Sequence, residues 1–146
     1  RFKSVKEIQK FLEEQSLKTL VGLLNTKGGN LVIGVHERNQ EKTFVGIQRE
    51  GFESLDHYER HINQQIQNRI GKVFLSDYLQ IEFIKHDDKD ICVIKCQEYV
   101  PIGNNLPALL DNEKCYRRTG PRTDLLTPVE FAKFSIERVN SVTSED

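Results

Sequence analysis

Leu23-Leu24-Asn25-Thr26-Lys27-Gly28-Gly29-Asn30-Leu31-Val32-Ile33-Gly34-Val35 is the stretch on which the fold turns. Paired glycines supply the left-handed backbone that ends a helix, so Asn25 to Asn30 reads as a stop. The short apolar run Leu31 to Val35 that follows reads as a central strand. Upstream, Val5 to Asn25 reads as the helix being stopped. Ile8, Phe11 and Leu12 give it a one-sided stripe, and Leu17, Leu20, Val21, Leu23 and Leu24 then surround the axis, as in a helix that dives into a core.

Downstream, His36 to Thr43 is polar and charged and reads as a loop, with Phe44-Val45-Gly46-Ile47 as a returning hairpin strand. Leu55, Tyr58, Ile62, Ile66 and Ile70 step by three and four, which predicts a second helix ending near Gly71. Leu79 to Phe83 alternates like a half-buried strand. Asp87 to Asp90 is its turn and Ile91 to Ile94 the partner. Short strands are expected around Ala108 to Leu110 and Cys115 to Arg118, joined by a turn at Asp111 to Lys114. Thr127 as N-cap, Pro128 at the first helical position and Glu130 as the reciprocal acid announce the last helix. Val129, Phe131, Phe134 and Ile136 are its expected apolar contacts, and Ser141 to Asp146 is expected to fray. The sum is one α+β domain over residues 1–146: a mixed, mostly antiparallel sheet built from hairpins, with three packed helices.

Composition narrows the function. The 146 residues are 37% hydrophobic and 29% charged, as in a globular domain. No run approaches the roughly 18 apolar residues of a membrane helix, and Arg1-Phe2-Lys3-Ser4 lacks the apolar segment of a secretory signal. Twenty-one Lys and Arg against 22 Asp and Glu leave a net charge of -1, so any nucleic-acid contact must come from a local cluster. Three cysteines, an odd number, argue against a disulfide framework and fit a reducing cytoplasm. The chain holds no Met and opens inside what reads as a motif, so it reads as part of something longer.

Phosphate-loop, dinucleotide and nucleophile-elbow signatures are absent, and Gly28-Gly29 reads as a turn. His57 and His61 stand one helical turn apart, yet the residue after His57 is Tyr58 where a metalloprotease helix needs Glu, so both read as surface histidines. Cys92 and Cys96 would lie about 13 Å apart on one strand and read as core thiols, not a metal pair. No metal site is expected from these residues. The strongest charge feature is Tyr116-Arg117-Arg118-Thr119-Gly120-Pro121-Arg122-Thr123. Guanidinium forks match phosphate oxygens, hydroxyls add neutral donors, and a tyrosine face can stack on a base. Lys27 and Arg38 form a second, weaker basic set.

These residues together resemble the Schlafen/Alba-like domain family. Ser16-Leu17-Lys18-Thr19 followed by Asn25-Thr26-Lys27-Gly28-Gly29 and Ile33-Gly34-Val35 is similar to the family's Lys-Thr helix, Asn-Thr-x-Gly-Gly turn and Ile-Gly-Val strand. Phe44 to Ile47 matches its next strand. Tyr116-Arg117-Arg118-Thr119-Gly120 resembles its Tyr-Val-Arg-Thr-Gly segment, Leu126-Thr127-Pro128-Val129-Glu130 its following helix start, and Arg1-Phe2-Lys3-Ser4 its Glu-Phe-Lys opening. The resemblance implies a bacterial DNA-binding module at the head of longer chains, some of them described as ATP-binding or as transcriptional regulators. It also implies relatives that cleave RNA with a metal held by three carboxylates. Two of those lie in a Glu-x-x-x-x-Glu-Phe-Lys opening and one follows the Ile-Gly-Val strand. Here Arg1 replaces the second acid, and the family's Asp-Asp after the strand is His36-Glu37. One carboxylate beside an arginine is a poor cation site.

The leading expectation is therefore a module that binds DNA or RNA without a cofactor. Arg117, Arg118 and Arg122 would grip phosphates, with Tyr116 stacking, Thr119 donating, and Lys27, Arg38 and Lys3 extending the surface. Two alternatives stay open. One is an endoribonuclease with Glu37 and His36 as a metal-site remnant, needing Mg or Mn. The other is a protein-interaction or oligomerisation module, such as a homodimer.

Overall fold

The buried leucines of the first helix organise the molecule. In the structure, a computed structural model that describes residues 5–47, 52, 54–102 and 105–145, helix α1 spans Val5–Leu24. Leu17, Leu20, Val21 and Leu24 are fully buried, so the second half of α1 is the axis of the core. The stop falls where the glycines place it. The Gly28 N–H donates to the Leu23 carbonyl at 2.8 Å, and Gly28 has a φ of +71°. A Cβ there would lie 2.5 Å from the Cys96 carbonyl oxygen, so only glycine fits.

Strands β1 (Gly29–Ile33), β4 (Leu79–His86) and β5 (Lys89–Cys96) form one antiparallel sheet in the order β1-β5-β4. Leu31 and Ile81 flank Ile94, and Ile33 and Phe83 flank Cys92, giving the face that meets the helices. The central strand is therefore β5, and the run expected to be central is an edge. Both are apolar, but the chain leaves β1 at Gly34 (φ +105°) and turns away before a second neighbour can pair. The segment expected to be a loop is a hairpin, β2 (Val35–Arg38) and β3 (Glu41–Phe44). Its turn residues Asn39 and Gln40 both have positive φ, the arrangement of a type I′ turn. Almost every residue in it is exposed, so no apolar alternation marked it in the sequence. The returning strand closes at Phe44. Val45 and Gly46 leave the ladder and both donate to the Gly34 carbonyl.

Helix α2 spans Leu55–Arg69 and buries Tyr58, Ile62 and Ile66, with the Ser54 side chain accepting from the His57 N–H as its cap. A short helix α3, Lys72–Asp77, then leads into β4, making four helices where three were expected. It buries no residue of its own and has no capping side chain, so the sequence carries little sign of it. The β4–β5 turn is tighter than expected: Asp87 and Asp88 form it, and Lys89 and Asp90 already pair.

Around Ala108 to Leu110 there is no strand, only a single bridge between Leu110 and Lys114. The reason lies in α1. Asn25, 1% exposed, accepts from the Ala108 N–H at 2.8 Å and donates to the Ala108 carbonyl at 2.9 Å. A side chain has taken the place of a strand partner. The strand after it, β6 (Tyr116–Thr119), pairs instead with β7 (Arg122–Leu125) around Gly120 and Pro121. Helix α4, Pro128–Glu145, opens with the expected reciprocal cap: Thr127 N–H to Glu130 at 2.8 Å and Glu130 N–H to Thr127 Oγ1 at 3.2 Å. Two expectations for it change. The helix extends to Glu145, into the segment expected to fray, and Val129 and Ile136 are exposed while Phe134 is buried. Among the described residues no helix is long and apolar enough to cross a membrane.

Candidate nucleic-acid interface

The β6–β7 hairpin is fastened to the end of α1 by the Asn-Thr pair. Asn25 Nδ2 donates to the Tyr116 carbonyl at 3.0 Å. Thr26 Oγ1 donates to the Gly22 carbonyl at 2.8 Å and accepts the Arg118 N–H at 2.9 Å. Gly22 lies close enough that a Cβ would sit 3.3 Å from Thr123 Cγ2 and 3.5 Å from the β6 backbone. Neither Asn25 nor Thr26 stood out in the sequence as a positioning residue. The available signal was a small polar pair directly after fully buried leucines, where an unpaired amide could not be tolerated.

On this platform the basic residues divide. Side chains alternate along a strand, and the register pairs Arg117 with Asp124, Arg118 with Thr123 and Thr119 with Arg122. Arg117, Thr119, Arg122 and Asp124 therefore share one face of the hairpin, and Arg118 and Thr123 lie on the other. The three arginines do not make a single fork. Arg122 pairs with Asp124 at 3.2 Å. Arg118 Nη1 donates to Thr123 Oγ1 at 2.7 Å. The Arg117 guanidinium lies over the Phe134 ring of α4, 4.5 Å from its centroid. Among the described residues neither Arg117 nor Arg118 forms an ion pair with a carboxylate.

Tyr116 is 5% exposed and belongs to the core, so its ring face is not free to stack on a base. Burial, with Glu14 and Asp111 nearby, pushes its phenol upward. Thr119 is exposed beside the turn. Lys27 is exposed and follows Thr26, which itself bonds β6. Arg38 is elsewhere. It ends β2 opposite Glu41, on the hairpin whose Phe44 stacks on His86 at the far end of the β4–β5 ladder. Gly28, next to Lys27, meets the Cys96 end of that ladder. Lys27 and Arg38 thus lie toward opposite ends of the sheet. Lys3 lies outside the described residues.

His36 and Glu37 are exposed on β2, opposite Thr43 and Lys42. His36 also lines a cavity of about 220 Å³ with Ser16, Thr19 and Gly34. Among the described residues no three His, Cys, Asp or Glu side chains come together as a metal site, and the Arg1–Ser4 opening lies outside them. His61 contacts Glu13 at 2.9 Å, while His57 is exposed. All three cysteines are buried, and burial pushes Cys96 up to about 12 and Cys115 to about 11. At neutral pH both remain thiols, without the thiolate a ligand or nucleophile needs.

Two residues that the sequence reading did not assign to the candidate interface lie beside it. Phe134 supplies the ring under Arg117, and Arg138 approaches the same ring at 5.6 Å while pairing with Glu98 at 2.9 Å. Only helical packing brings these α4 side chains beside β6.

Residues 2–127 match the profile of the Schlafen, AlbA_2 family, and the chain belongs to that family. The DIP2311 protein from Corynebacterium diphtheriae, a solved crystal structure, is similar with a TM-score of 0.57 and 12% sequence identity. The likeness covers 87% of this chain but 22% of that one, and at this identity it speaks for the fold alone. No curated protein matches the sequence.

Proposed function

We propose that this domain binds the phosphate backbone of a nucleic acid, with Arg117 as the principal contact and Lys27 beside it. Membership of the Schlafen, AlbA_2 family is consistent with such a module. The observation that carries the reading is the state of Arg117. Its guanidinium is stacked on Phe134 and has no carboxylate competing for its charge among the described residues. A stacked guanidinium keeps its N–H edge outward and has already lost rotamer freedom, so a phosphate meets a prepared fork. Arg122 contributes less because Asp124 neutralises it. Arg118 lies on the reverse face and holds Thr123, so its part is to stiffen the hairpin.

Fluorescence anisotropy with a labelled single-stranded RNA and a labelled DNA duplex tests this and separates the two ligands. Arg117→Ala is expected to weaken binding and to reduce the slope of log K against log salt by about 1, the counterion release of one phosphate contact. Arg122→Ala is expected to change that slope less. An Arg117→Ala slope equal to wild type would remove Arg117 from the contact surface.

A further inference from the structure

Helix α4 begins where the family match ends, and its outer side carries an apolar stripe. Phe134 and Arg138 face the domain. Val129 is 65% exposed and Ile136 62%, with Ala132 exposed between them. Steps of three and four place these residues on one stripe, the spacing by which helices pack on one another. Two large β-branched side chains in water on one helix face constitute a surface that gains from being covered.

The charges beside the stripe indicate what covers it. Glu130 is committed to the Thr127 cap. Lys133 and Glu137 are exposed, and among the described residues neither has an ion-pair partner. At about 100° per residue both fall on the same flank of the stripe, with Ala132 toward the other. When two copies of a helix cross antiparallel about a two-fold axis, equal flanks meet. Lys133 of one copy then lies beside Glu137 of the other, and the contact occurs twice. A parallel crossing sets that flank against the Ala132 side, where among the described residues no opposite charge waits. The face is self-complementary in one orientation, which is the requirement of an isologous dimer.

We propose that α4 is a self-association face and that its partner is a second copy of this chain, docked antiparallel along Val129, Ala132 and Ile136. Sedimentation equilibrium of the 146-residue chain tests it, with circular dichroism melts to verify folding. Wild type is expected to show a concentration-dependent monomer–dimer equilibrium. Ile136→Lys is expected to raise the dissociation constant on the order of a hundredfold, as loss of a central apolar anchor does. Lys133→Glu is expected to weaken association by about fivefold, and Lys133→Glu combined with Glu137→Lys to restore it, because the pair is merely exchanged. A wild-type chain that stays monomeric up to about 1 mM overturns the proposal. So does an Ile136→Lys chain that dimerises like wild type, or a double reversal no better than the single one.

Discussion

The β2–β3 and β6–β7 hairpins are built alike and live differently. Each has two four-residue strands joined by a tight turn. In β6–β7, Tyr116 enters the core, Thr26 takes the Arg118 amide, and Gly22 lets α1 approach the strand backbone. In β2–β3 all four residues of β3 are exposed. Its described ties are two hydrogen bonds to the Gly34 carbonyl and the stacking of Phe44 on His86, 3.9 Å between ring centroids. An isolated hairpin is marginal in water. The β6–β7 hairpin is therefore a fixed platform that can hold Arg117 against Phe134, and β2–β3 an exposed arm in which Glu37 and Arg38 stand opposite Lys42 and Glu41 in register. Position relative to the core, not hairpin sequence, sets what each can do.

Removing the platform's anchor gives the largest expected effect. Asn25→Ala leaves the Ala108 N–H and the Ala108 and Tyr116 carbonyls buried without their partner, and is expected to cost about 3 kcal/mol in urea unfolding. A loss below about 1 kcal/mol would mean that the hairpin does not depend on α1. Thr26→Val, which strands the Arg118 amide, is expected to cost about 1.5 kcal/mol. Phe44→Ala on the other hairpin is expected to cost about 1 kcal/mol or less. A Phe44→Ala loss exceeding that of Thr26→Val would reverse the comparison.

A smaller, pH-dependent effect sharpens the same contrast. Cys115 immediately precedes β6 and its thiol is raised to about 11 by burial. A raised folded value means the unfolded chain releases its proton first. The thiol's contribution is whole below the ordinary thiol range near 8.5 and is lost as pH rises through about 11. Alkaline unfolding of Cys115→Ala should accordingly show a shallower fall over that window. Equal slopes would place Cys115 in water, and the anchored end of β6 with it.

Much of this was legible. The helix stop at Gly28-Gly29, the Leu55–Arg69 helix, the β4–β5 hairpin and the Thr127–Glu130 cap each follow from local chemistry that a short window contains. The β2–β3 hairpin was not, because exposed strands have no apolar period to read. The Ala108–Leu110 segment misled because its apolar character reflects burial against Asn25, 83 residues away in sequence, and burial alone does not specify a ladder. For the candidate interface, residue types singled out the arginines but not their directions. Alternation along β6 separates Arg117 from Arg118 and buries Tyr116, and a two-strand reading of that segment would have predicted the split.

Amino-acid order by itself determined the α+β class, the family and the arginine-rich segment, because turn glycines, caps and apolar periods act over a few residues. Only the tertiary structure decided which arginine stacks on a ring of another element and which props its own hairpin. Those outcomes depend on Phe134 and Thr26 meeting β6 through packing and on the strand pairing that sets Arg118 beside Thr123, and charge becomes available to a ligand only after the protein's own partners have taken their share.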